Sequence, residues 1–221
     1  THAERLRAIS QGFALKDPPH ILYRRMYATL LESGPAIRKD IAAHEIGLVI
    51  CDSVGLAGGE EPERAGTKIQ LFAAARRLET TFLGIDHVAK KDASKPFGSA
   101  YAWNIPRSIW SMEKDQAEGG DTIRVALVHR KSNDGKLYTR RGYEFAYESN
   151  LHGALTTLTI ASKDIKLIPA FEHLQSNKDR LLNWLYGQDE PVGVGEIAEA
   201  LGWERRFTSS YLSRLQTSGR A

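Results

Sequence analysis

The sequence predicts an α/β domain followed by a small, mainly helical unit. Two apolar runs, IGLVICD and TFLGIDHV, each end in polar residues and are separated by an amphipathic stretch, TKIQLFAAARRLETT. Runs of this kind, without polar alternation, suit parallel strands covered on both faces, and a helix between them makes a β-α-β unit. The composition then shifts near residue 170, where NKDRLLNWLYGQ and the segments after it repeat their apolar residues at helical spacing. At 221 residues, 42% hydrophobic and 26% charged, the chain has room for one moderate domain and one small one, divided as 1–168 and 169–221.

The elements follow in order. AERLRAIS closed by Gly12 reads as a helix with a glycine stop, and HILYRRM as a short strand. Pro35, after Ser33 and Gly34, reads as a helix start for AIRKDIAAHE. IGLVICD is then a central strand and GLAGGEEPERAG a turn-rich loop. The next helix is expected to bury Ile69, Phe72, Ala75 and Leu78 on one stripe and to leave Arg76, Arg77 and Glu79 outside it. TFLGIDHV is a second buried strand, and KKDASKPFGSA a loop. RSIWSME, TIRVALVHRK, KLYTRRGYEFAYE and LTTLTIAS read as further strands, the first two joined by the polar turn KDQAEGGD.

Composition excludes several classes. Apolar stretches are only a few residues long, far below the ~20 of a membrane span. THAERLRAIS is polar and of mixed charge, unlike a signal or transit peptide. The one cysteine, Cys51, excludes an internal disulfide, fits a reducing cytoplasm and reads as a small core residue. The seven histidines lack metal-ligand spacing. The net charge of +3 is modest, but Arg124, Arg130, Lys131, Lys136, Arg140 and Arg141 stand against the single acid Asp134 within 122–141. Arg205, Arg206, Arg214 and Arg220 have no acid near them in 205–221. Such clusters suit phosphates or a solvated surface.

In open α/β sheets ligands sit beyond the carboxyl ends of the strands. Asp52 and His87 both fall there, one helix apart. A carboxylate at a strand end, followed by Ser53, suits Mg²⁺ held through water beside a nucleotide; a capping acid is the plainer alternative. Ser53, His87 and Asp86 could also compose a hydrolase triad, but no G-x-S-x-G elbow supports it. Glu4 and Glu32 lie in helical or loop contexts unsuited to a catalytic base.

The order and spacing of IGLVICDSV, TFLGIDHVAKK, KPFGSAYAWNIPRSIW and VALVHRKSNDG over residues 1–160 resembles the RecA-like ATPase core. The nearest likeness is to the RepA-type branch of ring-forming replicative helicases of plasmids and phages. The resemblance implies a mostly parallel sheet flanked by helices, ATP and Mg²⁺ as cofactors, and a homo-oligomeric ring around single-stranded DNA. It implies that Asp52 positions Mg²⁺ with Ser53 beside it, and that His87 senses the γ-phosphate. It also makes Lys90, Lys91 and Lys95 a DNA-touching channel loop, with Gly98 and Ser99 the small pair after it. Lys131 would reach a neighbouring subunit's nucleotide, with Arg107 a second candidate for that contact; many relatives carry arginine where this chain has Asn133. No G-x-x-x-x-G-K-[ST] loop occurs in the chain. By the resemblance that loop would precede Thr1 and a β-wing would follow Ala221, so the chain reads as a piece of a longer protein or a degenerate copy.

VGEIAEALGWERRFTSSYLSRLQTSGR has the form of a helix, a turn at Gly202 and a second helix, the helix-turn-helix arrangement, with Tyr211, Leu212 and Leu215 available for packing. Arg205, Arg206, Thr208, Ser209, Ser210 and Arg214 suit phosphates and base edges, although such two-helix modules also serve as docking elements. Two functions follow as expectations: an ATP-dependent, DNA-acting ATPase of the RepA-type class, or a nucleotide-independent DNA-binding regulator on a degenerate fold.

Overall fold

The computed structural model describes residues 2–17, 19–59, 61, 64–89, 92–96 and 100–217. Its architecture is mixed α/β, built around three separate apolar clusters.

The first cluster belongs to the β-α-β unit. Helix α1 (His2–Gly12) packs elsewhere, on the strand Leu155–Lys163 of the antiparallel sheet, and α2 spans Leu30–His44. Strand β1 (Leu48–Asp52) leads through the short α3 (Val54–Gly58) to α4 (Ala65–Arg76) and β2 (Thr81–Ile85). The two strands pair in parallel, with Leu48 opposite Thr81 and Asp52 opposite Ile85. Leu30, Val54, Ala57, Leu71, Ala74, Ala75 and Leu78 form the core, with Val49, Cys51 and Phe82 packed against it. Gly84 lets α3 lie close on β2: an added Cβ would stand 2.5 Å from Val54 Cγ2.

Four expectations need correction in this region. Helix α2 starts at Leu30, five residues before Pro35, because Thr29 and Glu32 form a reciprocal capping box there. Glu32 is spent there, its carboxyl held below the usual range by the Thr29 hydroxyl and backbone. HILYRRM is irregular, since an apolar run without a partner strand gains no ladder. The buried stripe of α4 is Lys68, Leu71, Ala74 and Ala75, with Leu78 buried just beyond the helix end, and Ile69 is exposed. The strands are also not covered on both faces: Ile50 is 57% and Leu83 51% exposed, because α2 and α4 pack on one side only.

Beyond β2, Val88–Ala89 (β3) and Asp92–Pro96 (β4) pair antiparallel, where the sequence suggests a loop. The short separation makes closure of such a ribbon cheap in entropy. After α5 (Ala100–Asn104) comes an antiparallel sheet, β5 (Ser108–Asp115), β6 (Thr122–Ser132), β7 (Arg141–Ser149) and β8 (Leu155–Lys163), in sequential order. The expected mostly parallel sheet is therefore corrected: among the described residues parallel pairing is confined to β1 and β2. Short turns such as KDQAEGGD permit hairpins, whereas parallel strands need long crossovers. Ala126 and Val128 of β6 pack with Ile165, Ile168, Phe171 and Leu174, carried by two 3-10 segments and by Ile168 between them, on either side of the expected 168/169 division.

The third cluster is helical. Helix α6 spans Asn177–Leu185, α7 Val194–Leu201 and α8 Arg205–Thr217, around Leu181, Ile197 and Leu201. Tyr211, Leu212 and Leu215 pack against this core as the sequence suggests. Gly202 ends α7 at φ 65°, in the left-handed region where glycine carries no steric penalty.

Lys166 Nζ donates to Asp179 Oδ1 at 2.8 Å, joining the 3-10 segment to α6. The Lys166 bond, aided by the Ser176 hydroxyl, holds the Asp179 carboxyl below its ordinary range. A lowered carboxyl contributes stability above its unfolded value, and loses it as pH falls through the folded one. Both side chains are partly solvated, so the contribution is about 0.5 kcal/mol. Asp179→Asn should therefore lower the thermal midpoint slightly at pH 7 and remove part of its fall on acidification to about pH 3, as followed by circular dichroism.

Candidate functional site

Asp52 ends β1 and His87 follows β2 by two residues, so the parallel pairing brings both to the same end of the two strands. Asp52 is exposed, and its carboxylate makes no hydrogen bond or ion pair with the described residues. Ser53 is the N-cap residue of α3, and its hydroxyl makes no capping bond. Cys51 is half-buried, its thiol pushed up by desolvation and then by the Asp52 charge, which leaves it unactivated.

Beside them lies a pair that sequence reasoning missed. Lys68, on the buried face of α4, is 1% exposed and donates from Nζ to Asp86 Oδ2 at 2.7 Å. The second oxygen, Oδ1, accepts the His87 backbone N–H at 2.9 Å. Asp86 thus ties α4 to the segment carrying His87 and is fully engaged. A lysine three residues before Leu71 on an otherwise apolar stripe was the available signal.

The remaining candidates are dispersed. Lys131, on β6, donates to the carbonyls of Trp103, Asn104 and Pro106 at 2.7–2.9 Å. Its three ammonium hydrogens close the carboxyl end of α5. Arg107 is paired bidentately with Asp134, whose carboxyl that bond holds below the ordinary range. Lys90, Lys91, Gly98 and Ser99 lie outside the described residues, and of Lys95 only its position in β4 is described.

In the helical unit the solvent side of α8 carries Arg205, Arg206, Ser209, Ser210 and Arg214, all exposed. Thr208 is the exception: it is buried and its hydroxyl donates to the Glu204 carbonyl, so it offers nothing to a ligand. Trp203, Phe207 and Tyr211 pack their rings together along the other side, and the Arg180 guanidinium lies over Trp203.

Among the described residues no group of three histidine, cysteine or acidic side chains is arranged to hold a metal. Asp52 with Ser53 therefore fits only a magnesium ion that keeps most of its waters. No described helix is long and apolar enough to cross a membrane.

Together these features define a mixed α/β protein with polar groups gathered at the carboxyl end of a parallel strand pair and a helix-turn-helix at its C-terminal side. Compared with protein-family models and with curated protein sequences, the chain matches none.

Breaking a buried pair by removing one partner strands the other charge, at a cost of about 3 kcal/mol. Lys68→Met should lower the stability measured by urea unfolding by about that amount. The double variant Lys68→Met/Asp86→Asn should recover most of the loss.

Proposed function

We propose that this chain is part of a DNA-acting ATPase of the RepA-type helicase class, working as a homo-oligomeric ring in the cytoplasm. The juxtaposition of Asp52 and His87 at one end of two parallel strands carries the reading. Nucleotide-binding α/β proteins gather their ligand groups at such strand ends. In this reading the β1–α4–β2 unit is a fragment of a RecA-like sheet. Asp52 would hold Mg²⁺ through water, with Ser53 beside it. His87, held by its backbone to Asp86, would meet the γ-phosphate side of the ATP. Lys90, Lys91 and Lys95 would face single-stranded DNA, and Gly98 and Ser99 would follow them. The exposed face of α8 supports duplex contact: Arg205, Arg206 and Arg214 offer phosphate partners, and Ser209 a neutral donor.

A second reading, a DNA-binding regulator without nucleotide chemistry, is favoured by one observation. Lys131 and Arg107, the two groups that would act on a neighbouring subunit's nucleotide, are both occupied within the chain. The ATPase reading requires Lys131 to exchange three carbonyls for a phosphate when subunits meet.

The two readings separate at Asp52. In the whole protein, Asp52→Ala should abolish phosphate release from Mg·ATP, by about 100-fold or more, while leaving duplex DNA affinity unchanged. Turnover that survives the substitution removes the magnesium role. For α8, Arg205→Ala/Arg206→Ala should reduce the slope of log affinity against log salt by about 2 for a DNA duplex. An unchanged slope would make α8 a protein-docking surface.

A further inference from the structure

The cationic run along β6 and into the start of β7 divides sharply by pairing. Arg124 meets Asp115 and Glu144, Arg130 meets Glu113 and the Ser111 hydroxyl, and Lys131 is bound by three carbonyls. The acid of the run, Asp134, is neutralised by Arg107. Lys136, Arg140 and Arg141 have no acidic partner among the described residues, and all three are exposed. Three cations without an acidic partner among the described residues, within six residues and with the local acids already paired, leave a positive patch.

An aromatic platform sits in the middle of that patch. Trp110 and His129, opposite one another on β5 and β6, stack at 4.3 Å with planes 5° apart. Tyr138 lies near-parallel to both, 5.4 Å from His129 and 6.0 Å from Trp110. The Tyr138 backbone N–H donates to His129 Nδ1 at 3.0 Å, so Nε2 carries the imidazole hydrogen and donates to Ser108 Oγ. The loop is thereby fastened to the sheet at Tyr138 itself. Even so, Tyr138 is 63% exposed, and the Arg141 guanidinium stands over its ring, 6.0 Å from the centroid, where a base could slide between them. A cleft of about 630 Å³, lined by His129, Tyr138, Arg140 and Lys166 among others, opens alongside. Its acids are occupied, Asp179 by Lys166 Nζ and Asp164 by the Lys166 backbone N–H.

A rigid aromatic face presented to solvent among unpaired cations matches a nucleobase and its flanking phosphates. Bases stack on such faces in single strands, where they are not already stacked on a partner, and arginine planes and lysines take the phosphates. A protein partner would call for apolar surface with few free charges, and duplex DNA offers no open base face. We propose that Tyr138 is a stacking platform for one base of a single-stranded nucleic acid, with Lys136, Arg140 and Arg141 holding the adjacent phosphates. The site draws on neither Asp52 nor α8, so it stands or falls apart from the function proposed above.

The test is fluorescence anisotropy on this chain with a labelled oligothymidylate of about 15 nucleotides, the matching oligouridylate, and a duplex of similar length. Tyr138→Ala should weaken single-strand binding about tenfold or more, and Tyr138→Phe, which keeps the ring, should bind as the parent does. Duplex affinity should be unchanged in both. Lys136→Ala/Arg140→Ala, which removes no side-chain hydrogen bond or ion pair among the described residues, should lower the single-strand salt slope by about 1.4. Preference for one oligonucleotide would name the polymer, and equal binding would mean that the 2′-hydroxyl is not read; either supports the site when Tyr138 is required. Parent-like binding by Tyr138→Ala, or an unchanged slope in the lysine–arginine variant, overturns it. Single-strand binding lost only with Arg205→Ala/Arg206→Ala would assign the strand to α8 and overturn the Tyr138 site while leaving the reading of α8 intact.

Discussion

A lysine ammonium cannot remain in an apolar core without a counter-charge, and the position of Asp86 answers that requirement for Lys68. The consequences spread through the β-α-β unit. With Lys68 nearly inaccessible and bonded to Asp86 Oδ2, the rotation of α4 is fixed relative to the end of β2. Asp86 Oδ1 then fixes the backbone of His87, and the strand register sets Asp52 opposite Ile85, one residue before Asp86. The pair need not add net stability, since desolvating two charges offsets much of their attraction. Its value lies in selecting one helix rotation, since the others separate the ammonium from Asp86.

The rest of the molecule is held by apolar clusters of only a few residues each, joined through polar ties. His173 Nε2 meets Glu113 Oε2 at 2.8 Å, tying a 3-10 segment to β5, and Lys166 reaches Asp179 at the start of α6. Arg180 spans further: it meets Glu172, the Leu201 carbonyl at the end of α7 and the face of Trp203. Partly solvated links of this sort orient neighbouring units while contributing little individually. The first unit has one face without cover, where Leu48, Ile50, Leu83 and Ile85 all show substantial exposure. A sheet of two strands is marginal alone, and its stability here rests on the helices packed against the opposite side.

Where the signal was local, the sequence was readable. β-Branched runs marked β1 and β2, and the Gly202 turn with its flanking periodicities marked α7 and α8. The strand-end position of Asp52 and His87 followed from those boundaries alone. What failed depended on neighbours. IGLVICD carries nothing to say that only one of its faces would be covered, and HILYRRM has strand-like residues but no partner. The start of α2 was misplaced because proline was weighed above the Thr29–Glu32 box, which satisfies the same free amides more completely. Lys68 was passed over because a lysine on an apolar stripe reads as an edge residue until the position of Asp86 is known.

Charge in the sequence is not the same as charge available to a ligand. Six cations in residues 122–141 look alike in one dimension, yet three are consumed by Asp115, Glu144, Glu113 and the end of α5. Those three lie on β6, a central strand: Arg124 faces Asp115 and Glu144 across both ladders, Arg130 reaches Glu113 on β5, and Lys131 turns to the carbonyls at the end of α5. Of the other three, Lys136 and Arg140 lie in the turn between β6 and β7, and Arg141, at the start of β7, faces Leu127 rather than an acid. The same division operates on α8, where Thr208 turns inward while Arg205, Arg206 and Arg214 are exposed and have no acidic partner among the described residues. Pairing geometry, more than residue type, decides which cations this protein can offer to a phosphate, and the choice follows from its strand order.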